Sequence, residues 1–382
     1  MIPSVNLSER YDSNVYYGPP GQLPPGRQSW DLVTTTGANV QIENKSRLGD
    51  SVLNAGVSGS AFAYNTELAF VSTSVFAASD LTGWASELVR GLGLRVSNSF
   101  QYTPEPPAFL TGVKPGETSD IFSRGIQGVR ANTFKNVFTA QSGYSIYRSL
   151  GIRADYSYSV FRVGNLRLTT IEGSPVRYFD TTQHSVTTGP TYSFGGGDTL
   201  FAKYIYAAGE TVPEEGGNSL SYVTHTLTPE YVTKAIPGWT LTINGGVTLV
   251  EQLGNRAFFS GKFALATNFD VRTRVQVQVS RQAAPAFFGS GGAMISNVAQ
   301  ISVNHGLSKV LRMTVSANYA HNTAVPVETF RVETITAFAN LEYKLTRSSS
   351  LVLMQEYNRF DYTGVPQFDR YATTLTFNTV WK

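Results

Sequence analysis

Basic side chains recur at alternate positions in several segments of this chain, and their spacing could create a surface that attracts anions. Arg272 and Arg274 stand two residues apart, and Lys262 lies in the preceding segment. Residues two apart on a β-strand point to the same side, so the three cations would share one surface if both segments are strands. A water-filled passage lined in this way would favour anions or acidic polymers. The trio is therefore the candidate selectivity patch.

The trio belongs to a larger set of charged residues that we predict to line a polar interior. The set comprises Arg95, Lys135, Arg153, Asp155, Lys203, Lys262, Arg272, Arg274, Arg312, Glu342, Lys344 and Glu356. In an alternative interpretation, the cations pair with carboxylates across the interior and only stiffen its wall. The sequence leaves both interpretations open.

Catalysis and metal binding are the competing uses of the polar residues. The histidines are His184, His225, His305 and His321. A serine–histidine pair on a barrel wall would suggest a phospholipase, but no G-x-S-x-G motif stands in a strand–turn–helix setting. The histidine spacing does not match a metal site, and the glycine run at residues 195–197 is interpreted as a turn. We predict no enzyme activity, no catalytic residues, no metal and no cofactor.

Alternation at the end of the chain indicates which elements would position these side chains. One side of the segment 369–382 carries Tyr371, Thr373, Leu375, Phe377, Thr379 and Trp381. The other side carries Arg370, Ala372, Thr374, Thr376, Asn378 and Val380. Period two is typical of a β-strand whose faces meet different solvents. An Arg or Lys facing lipid at the bilayer midplane costs about 2–4 kcal/mol, so the charged side must face water.

The same pattern recurs along the chain, in segments that suit tilted membrane-crossing strands of about 9–11 residues. Candidate strands lie near residues 4–17, 29–43, 51–64, 67–77, 86–102, 132–147, 150–162, 182–194, 199–208, 219–231, 239–249, 259–265, 271–279, 299–303, 311–319, 335–343, 351–357 and 369–382. The weakest candidate lies between Thr66 and Trp84, and its loss would reduce the number from about 18 to 16, because bacterial barrels have even strand numbers. We predict an all-β fold, a transmembrane antiparallel up-and-down β-barrel, as a single domain over residues 1–382.

Connections between the predicted strands alternate in length, which fits a barrel with both chain ends on one side of the membrane. Short turns near residues 147–149, 195–198, 268–270 and 346–348 are assigned to the periplasm. Longer connections at residues 18–27, 103–130, 164–181, 209–218, 282–292 and 363–367 are assigned to the outside, and residues 103–130 could plug the lumen. Four outward aromatic residues near strand ends are predicted at the membrane–water boundary: Trp239, Tyr319, Tyr343 and Trp381.

Composition supports a membrane barrel and disfavours other classes. Charged residues make up 15% of the 382 residues, below the roughly 25% of soluble domains. No basic run stands out and the net charge is +3, so nucleic-acid binding is not expected. No apolar stretch reaches the roughly 18 residues that a membrane helix needs. Cysteine is absent, which fits an oxidising compartment, and no signal peptide is visible, so we presume that a leader has been removed.

Two stretches resemble a known group of proteins. The run from Ser8 to Val15 (SERYDSNV) resembles the opening strand of outer-membrane barrels that accompany PEP-CTERM/exosortase systems, a largely uncharacterised group. The run from Tyr102 to Phe109 (YTPEPPAF) looks like the passage from strand to loop in the same group. The resemblance covers about the first 110 residues; it implies the fold and the outer membrane, and it supplies no catalytic residues. One departure is Lys382 after Trp381, where a terminal aromatic is the usual assembly signal.

Two functions remain open from the sequence. The first is a pore for passive diffusion or export of small or anionic solutes. The second is a structural or adhesive scaffold, with a loop-plugged lumen, that binds an extracellular or periplasmic partner. In either case the expected partners are outer-membrane lipid, lipopolysaccharide and the barrel-assembly machinery, with a homo-oligomer as an open option. Conductance across a planar bilayer would separate the two functions.

Overall fold

Eighteen β-strands account for most of the chain. The computed structural model describes residues 1–19, 23, 26–104, 132–164, 179–213, 218–234, 236–252, 254–286, 291–325 and 330–381. The strands are β1 (Ile2–Asp12), β2 (Asp31–Lys45), β3 (Asp50–Phe62), β4 (Phe70–Asp80), β5 (Leu92–Thr103), β6 (Thr133–Ser145), β7 (Leu150–Val163), β8 (Phe179–Ser193), β9 (Thr199–Pro213), β10 (Leu220–Thr233), β11 (Trp239–Glu251), β12 (Asn255–Asn268), β13 (Thr273–Pro285), β14 (Ala293–Gly306), β15 (Leu311–Val325), β16 (Arg331–Lys344), β17 (Ser349–Tyr362) and β18 (Val365–Val380). One short helix, α1 (Thr82–Leu88), joins β4 to β5. In the described ranges, no helix has the length and apolar character needed to cross a membrane.

Each strand pairs antiparallel with its neighbours in the chain, and the last strand pairs with the first. The β1–β18 register runs from Ser4 opposite Val380 to Asp12 opposite Ala372, and β1 also pairs with β2. Because the barrel is closed, the backbone N–H and C=O groups of each strand can bond to a neighbouring strand. A wall inside hydrocarbon requires this, since no water is there to bond them. The predicted barrel of about 18 strands is confirmed, and the uncertain segment does contain a strand, β4.

The two faces of the wall differ as the alternation predicts. Leu227, Val247 and Phe259 lie side by side on β10, β11 and β12, and their exposed fractions are 63%, 56% and 64%. An apolar surface of this kind is unfavourable in water and is stable only when another apolar medium covers it. The wall is therefore that of a membrane-spanning barrel whose polar face turns inward.

Some predicted strand ends were wrong: in two cases a turn or helix replaces a predicted strand, and in others a strand runs into a predicted connection, as β9 does to Pro213 and β13 to Pro285. β1 ends at Asp12 rather than at residue 17. A turn follows, in which the N–H of Asn14 donates to Asp12 Oδ1. Residues 86–88 belong to α1 rather than to a strand. The connection predicted over residues 363–367 has only two residues, because Gly364, with φ of 81°, permits a tight hairpin turn.

The buried carboxylate of Asp31 organises the outer connection between β3 and β4. Its oxygens accept hydrogen bonds from the backbone N–H groups of Ala63 at 2.9 Å and of Asn65 at 2.7 Å, and from Asn65 Nδ2 at 2.8 Å. The Asn65 Oδ1 atom in turn accepts from the Tyr16 hydroxyl at 2.8 Å. The Asn65 side chain thus joins the connection between β3 and β4 to the connection between β1 and β2, which contains Tyr16.

Replacing Asp31 by alanine should remove the acceptor of the Tyr64 and Asn65 N–H groups and cost about 1–3 kcal/mol. We expect faster amide hydrogen exchange at Tyr64 and Asn65, whereas Ala63 keeps its bond to the Leu32 carbonyl at 3.0 Å. Asp361→Ala is the matched control, because that carboxylate is 37% exposed and, among the described residues, forms its ion pair with Arg331 at 3.4 Å. Unchanged exchange at Asn65 in the Asp31 variant would show that the carboxylate does not hold this connection.

Candidate functional site: the lumen of the barrel

The inward face encloses a cavity of about 1360 Å³ between β5 and β14. Six charged side chains line it: Arg95, Arg153, Asp155, Glu230, Lys262 and Arg274. Neutral polar residues, among them Gln276, Gln278 and Gln300, fill the wall between them. Because the cavity lies near the strand ends that carry the short turns, the polar space belongs to the short-turn half of the lumen.

Three of the predicted lumen cations form ion pairs with carboxylates of the wall. Arg95 Nε lies 2.8 Å from Asp80, Arg153 Nη2 lies 2.7 Å from Asp155, and Lys203 Nζ lies 2.6 Å from Glu230. The sequence-based set omitted Asp80 and Glu230. Glu230 has the inward parity of β10 and could have been found from the alternation. For these three residues, the ion pairs are of the kind expected in the alternative interpretation, in which the cations pair with carboxylates and stiffen the wall.

Two cations of the candidate patch face the same cavity. Lys262 stands opposite Asn244 and Ser280 in the neighbouring strands, and Arg274 stands opposite Asn304. Among the described residues, no carboxylate lies within ion-pairing distance of Arg274. Its charge is therefore available to solutes in the cavity.

Arg272 does not join this pair on the strand. It lies in the turn between β12 and β13, and β13 begins only at Thr273. The Asp270 carboxylate accepts the N–H of Arg272 and the N–H of Thr273, both at 2.6 Å, and this turn delays the strand. The same bonds, that of Arg272 first, hold the pKa of Asp270 below its usual range. The geometry reduces the proposed trio to Lys262 and Arg274.

The remaining predicted lining residues occupy different settings. Arg312 and Glu342 face each other across β15 and β16, and Lys344 ends β16. Lys135 on β6 is buried, with 5% of its side chain exposed. Glu356 accepts hydrogen bonds from Arg370 at 2.9 Å and from Asn358 at 2.6 Å, so the wall itself occupies one of its oxygens.

Arg370 is the centre of a buried charge network that sequence reasoning missed. Its guanidinium donates to both oxygens of Asp12, at 2.9 Å from Nε and 2.6 Å from Nη2, and it reaches Glu356 through Nη1. The Tyr17 ring covers it at 4.8 Å. Arg370 and Asp12 are 3% and 1% exposed. The network joins β1, β17 and β18, the strands at which the barrel closes.

The wall opposite the candidate patch is neutral and made of small residues. Around a barrel of 18 strands, β3 lies nine steps from β12. Near β3, a depression of about 520 Å³ is lined by Ser4, Asn6, Gly37, Asn39, Gly56, Ser58, Ser72 and Ser74, among others. Gly37 allows close packing there, because a Cβ at this position would overlap the Asn6 side chain. The charged half of the lumen therefore faces a smooth polar wall.

The hairpin of β13 and β14 leans across the other end of the lumen. The N–H of Gly292 donates to Thr211 Oγ1 on β9 at 2.6 Å, and the N–H of Ala293 donates to Gln252 Oε1 at 2.9 Å. Neighbouring strands lie about 4.8 Å apart, so five steps separate β9 from β14 by roughly 24 Å along the wall. A direct hydrogen bond over that interval requires the hairpin to leave the wall and cross the mouth.

Apolar packing accompanies the hairpin at this end. Phe161 of β7, Met294 of β14, Val332 of β16, Phe360 of β17 and Phe368 of β18 belong to one buried cluster. These strands come from opposite parts of the wall, so the described residues narrow the outer end of the lumen. Residues 103–130, which the sequence offered as a possible plug, lie outside the described residues beyond position 104.

The four histidines all point outward, away from the cavity. Their partners are Tyr156 for His184, Tyr204 for His225, Thr273 for His305 and Glu333 for His321. Within the described ranges, no group of three or more metal-binding side chains comes together. The predicted boundary aromatics Trp239, Tyr319 and Tyr343 also lie on the outward face, and Trp381 follows β18 with its N–H bonded to the Pro3 carbonyl.

Comparison with known proteins supports the fold. No protein-family model matches the chain, and no curated protein matches it. OccK1 (OpdK) of Pseudomonas aeruginosa superposes with a TM-score of 0.50 at 10% identity, covering 100% of this chain and 98% of that one. The structure of Pseudomonas aeruginosa OpdK with vanillate gives a TM-score of 0.50 at 9% identity, with the same coverage. This chain thus has the fold of outer-membrane β-barrels.

Proposed function

We propose that this barrel is an outer-membrane channel that favours small anions. The observation that carries the proposal is the cavity of about 1360 Å³ with Lys262 and Arg274 on its wall. A polar interior inside an apolar exterior suits a protein with water within and lipid around it. The outer-membrane location rests on the same argument together with the fold.

The charge of the cavity wall supports a preference for anions. Its lining contains four cations, Arg95, Arg153, Lys262 and Arg274, against two carboxylates, Asp155 and Glu230. Low-dielectric walls focus the field of such a surplus into the water between them. Export of an acidic polymer, and the link to PEP-CTERM/exosortase systems, remain proposals that only the sequence resemblance suggests.

A second candidate is a scaffold with a closed lumen. The narrowing of the lumen at its outer end favours this function. The hairpin of β13 and β14 and the cluster around Phe360 narrow the outer end. In that case the polar cavity would be a blind water pocket. The homo-oligomer, the assembly machinery and lipopolysaccharide stay predictions under either function.

Planar-bilayer recordings test the channel directly. We expect the folded protein to conduct, with an anion-to-cation permeability ratio above one. The variant Lys262→Glu/Arg274→Glu should lower that ratio about several-fold, because it reverses two charges beside the permeating ion. Small carboxylates are suitable test anions, and vanillate, present in the OpdK structure, is one of them.

The control is Arg359→Glu, which changes a charge on the outward face beside Asp369. It should leave the permeability ratio unaltered. Conduction with equal ratios in all three proteins would contradict anion preference but not the pore. Absence of any conductance from correctly folded protein would favour the scaffold.

A further inference from the structure

At the end of the barrel where β1 begins and β18 ends, called here the short-turn rim, each of the eight connections between strands exposes a large apolar side chain. The eight connections carry Leu48, Trp84 with Leu88 and Val89, Ile146 with Tyr147, Phe194, Ile236, Phe269 with Val271, Leu307 with Val310, and Leu345. The exposure is large: 70% for Tyr147, 64% for Phe269 and complete for Val271. At the opposite end, the described parts of the connections expose only one such residue, Tyr64. Large apolar side chains are unfavourable in a turn that is surrounded by water. Their presence in all eight connections indicates that this rim contacts an apolar medium.

Seven of the eight connections add one basic residue to the apolar one. These are Arg47, Arg90, Arg148, Lys234, Arg272, Lys309 and Arg347. The exception is the glycine-rich connection after β8, which contains Phe194 and Asp198. An apolar side chain beside a cation is the combination that partitions to the boundary of a bilayer, where the cation meets phosphate and the apolar group enters the acyl region.

The carboxylates at this rim are already occupied. Glu87 pairs with Arg47 at 3.1 Å. Asp270 accepts the turn N–H groups, and Asp198 accepts the hydroxyls of Tyr231 and Thr233, both at 2.7 Å. In the described part of the chain, the other six cations have no carboxylate within ion-pairing distance. The rim therefore presents a surplus of positive charge.

Ring contacts show which way the apolar side chains turn. Phe194 packs edge-on against Tyr192 with ring centroids 4.8 Å apart, and Phe269 packs against Trp239 at 5.8 Å. Tyr192 and Trp239 belong to the outward, lipid-facing side of β8 and β11. The turn aromatics thus continue the lipid-facing surface rather than the lumen or a face directed into the periplasm.

We propose that the short-turn rim is a lipid-binding band that inserts its apolar tips into the adjacent leaflet and binds anionic phospholipid headgroups through its cations. The proposal rests on the membrane location proposed above. Charge complementarity and continuity with the lipid-facing wall select a phospholipid surface over a soluble protein partner as the occupant.

Insertion of the tips can be tested with single cysteines, because the chain has none of its own. Val271→Cys and, as a matched site at the other end, Tyr64→Cys would carry an environment-sensitive fluorophore in vesicles. We expect nitroxide lipid labelled near the headgroup to quench the Val271 label, and dissolved iodide to quench it less than the Tyr64 label. If iodide reaches both labels equally, the rim stands in water, a periplasmic protein becomes the better occupant, and the proposal is overturned.

Headgroup charge is tested by unfolding in urea. In vesicles of phosphatidylcholine containing phosphatidylglycerol, the wild-type midpoint should lie at higher urea than in phosphatidylcholine alone. The variant Arg148→Gln/Arg272→Gln/Arg347→Gln should lose most of that shift. The matched variant Arg27→Gln/Arg331→Gln/Arg359→Gln, with three changes away from this rim, should keep it. Equal shifts in all three proteins would overturn the role of the cations.

These outcomes distinguish a failure of the lipid-binding band from a failure of the proposed outer-membrane channel. Failure to insert into either vesicle would contradict the membrane location itself. Insertion and conduction without any phosphatidylglycerol effect would contradict only the lipid-binding band. Both leaflets of such vesicles have the same composition and iodide is supplied on both sides of the membrane, so the direction of insertion affects neither comparison.

Discussion

Replacing Arg370 by methionine is expected to destabilise the barrel by about 3–5 kcal/mol, the usual cost of removing the main partner of a buried charge. The change removes the only guanidinium that contacts both Asp12 and Glu356 among the described residues. Asp12 is 1% exposed and would keep the longer contact with Arg10, whose Nε lies 3.6 Å from its carboxylate. Because the affected strands are β1, β17 and β18, the loss falls on barrel closure. The urea midpoint and the heat-modifiable gel mobility of the folded protein would measure it.

Two companion variants test the physical reason. Arg359→Met breaks an outward ion pair with Asp369 whose side chains are 44% and 34% exposed, and it should cost about 0–1 kcal/mol. The triple variant Asp12→Asn/Glu356→Gln/Arg370→Met removes the stranded charges and should regain part of the lost stability. A triple variant less stable than Arg370→Met would show that uncompensated charge is not the cause.

Releasing the hairpin of β13 and β14 should give the largest change in conductance. The variant Thr211→Val/Gln252→Leu removes the acceptors for the N–H groups of Gly292 and Ala293. Without them the buried start of β14, at Gly292 and Ala293, loses its hydrogen bonds across the mouth. We expect single-channel conductance to rise about two-fold or more, because the narrowest cross-section limits ion flow.

The control for this prediction is Thr226→Val, which removes a hydroxyl that bonds Thr248 at 2.7 Å within the wall. It should leave conductance near the wild-type value, and gel mobility would check that every variant is folded. If the double variant conducts like the wild type, the hairpin does not limit the channel. If neither conducts, the lumen is closed by other means and the scaffold function gains support.

The alternation of apolar and polar residues predicted the architecture well, for a local reason. In a strand, parity decides the face, and the cost of charge in hydrocarbon decides which face turns to lipid. Lys262 and Arg274 could therefore be assigned to the inward side without knowledge of their neighbours. Errors arose where capping side chains replace the ladder, as at Arg272, whose turn depends on Asp270.

Pairing and closure depended on contacts between residues far apart in the chain. Asp12 and Arg370 are separated by 358 positions and meet only because β1 joins β18. Gly292 and Thr211 meet only because a hairpin leaves the wall. Period two contains no information about curvature or about contacts across a lumen. The sequence by itself thus determined a membrane barrel with a polar inner face, whereas the tertiary structure decided which of its cations form ion pairs and where the passage narrows.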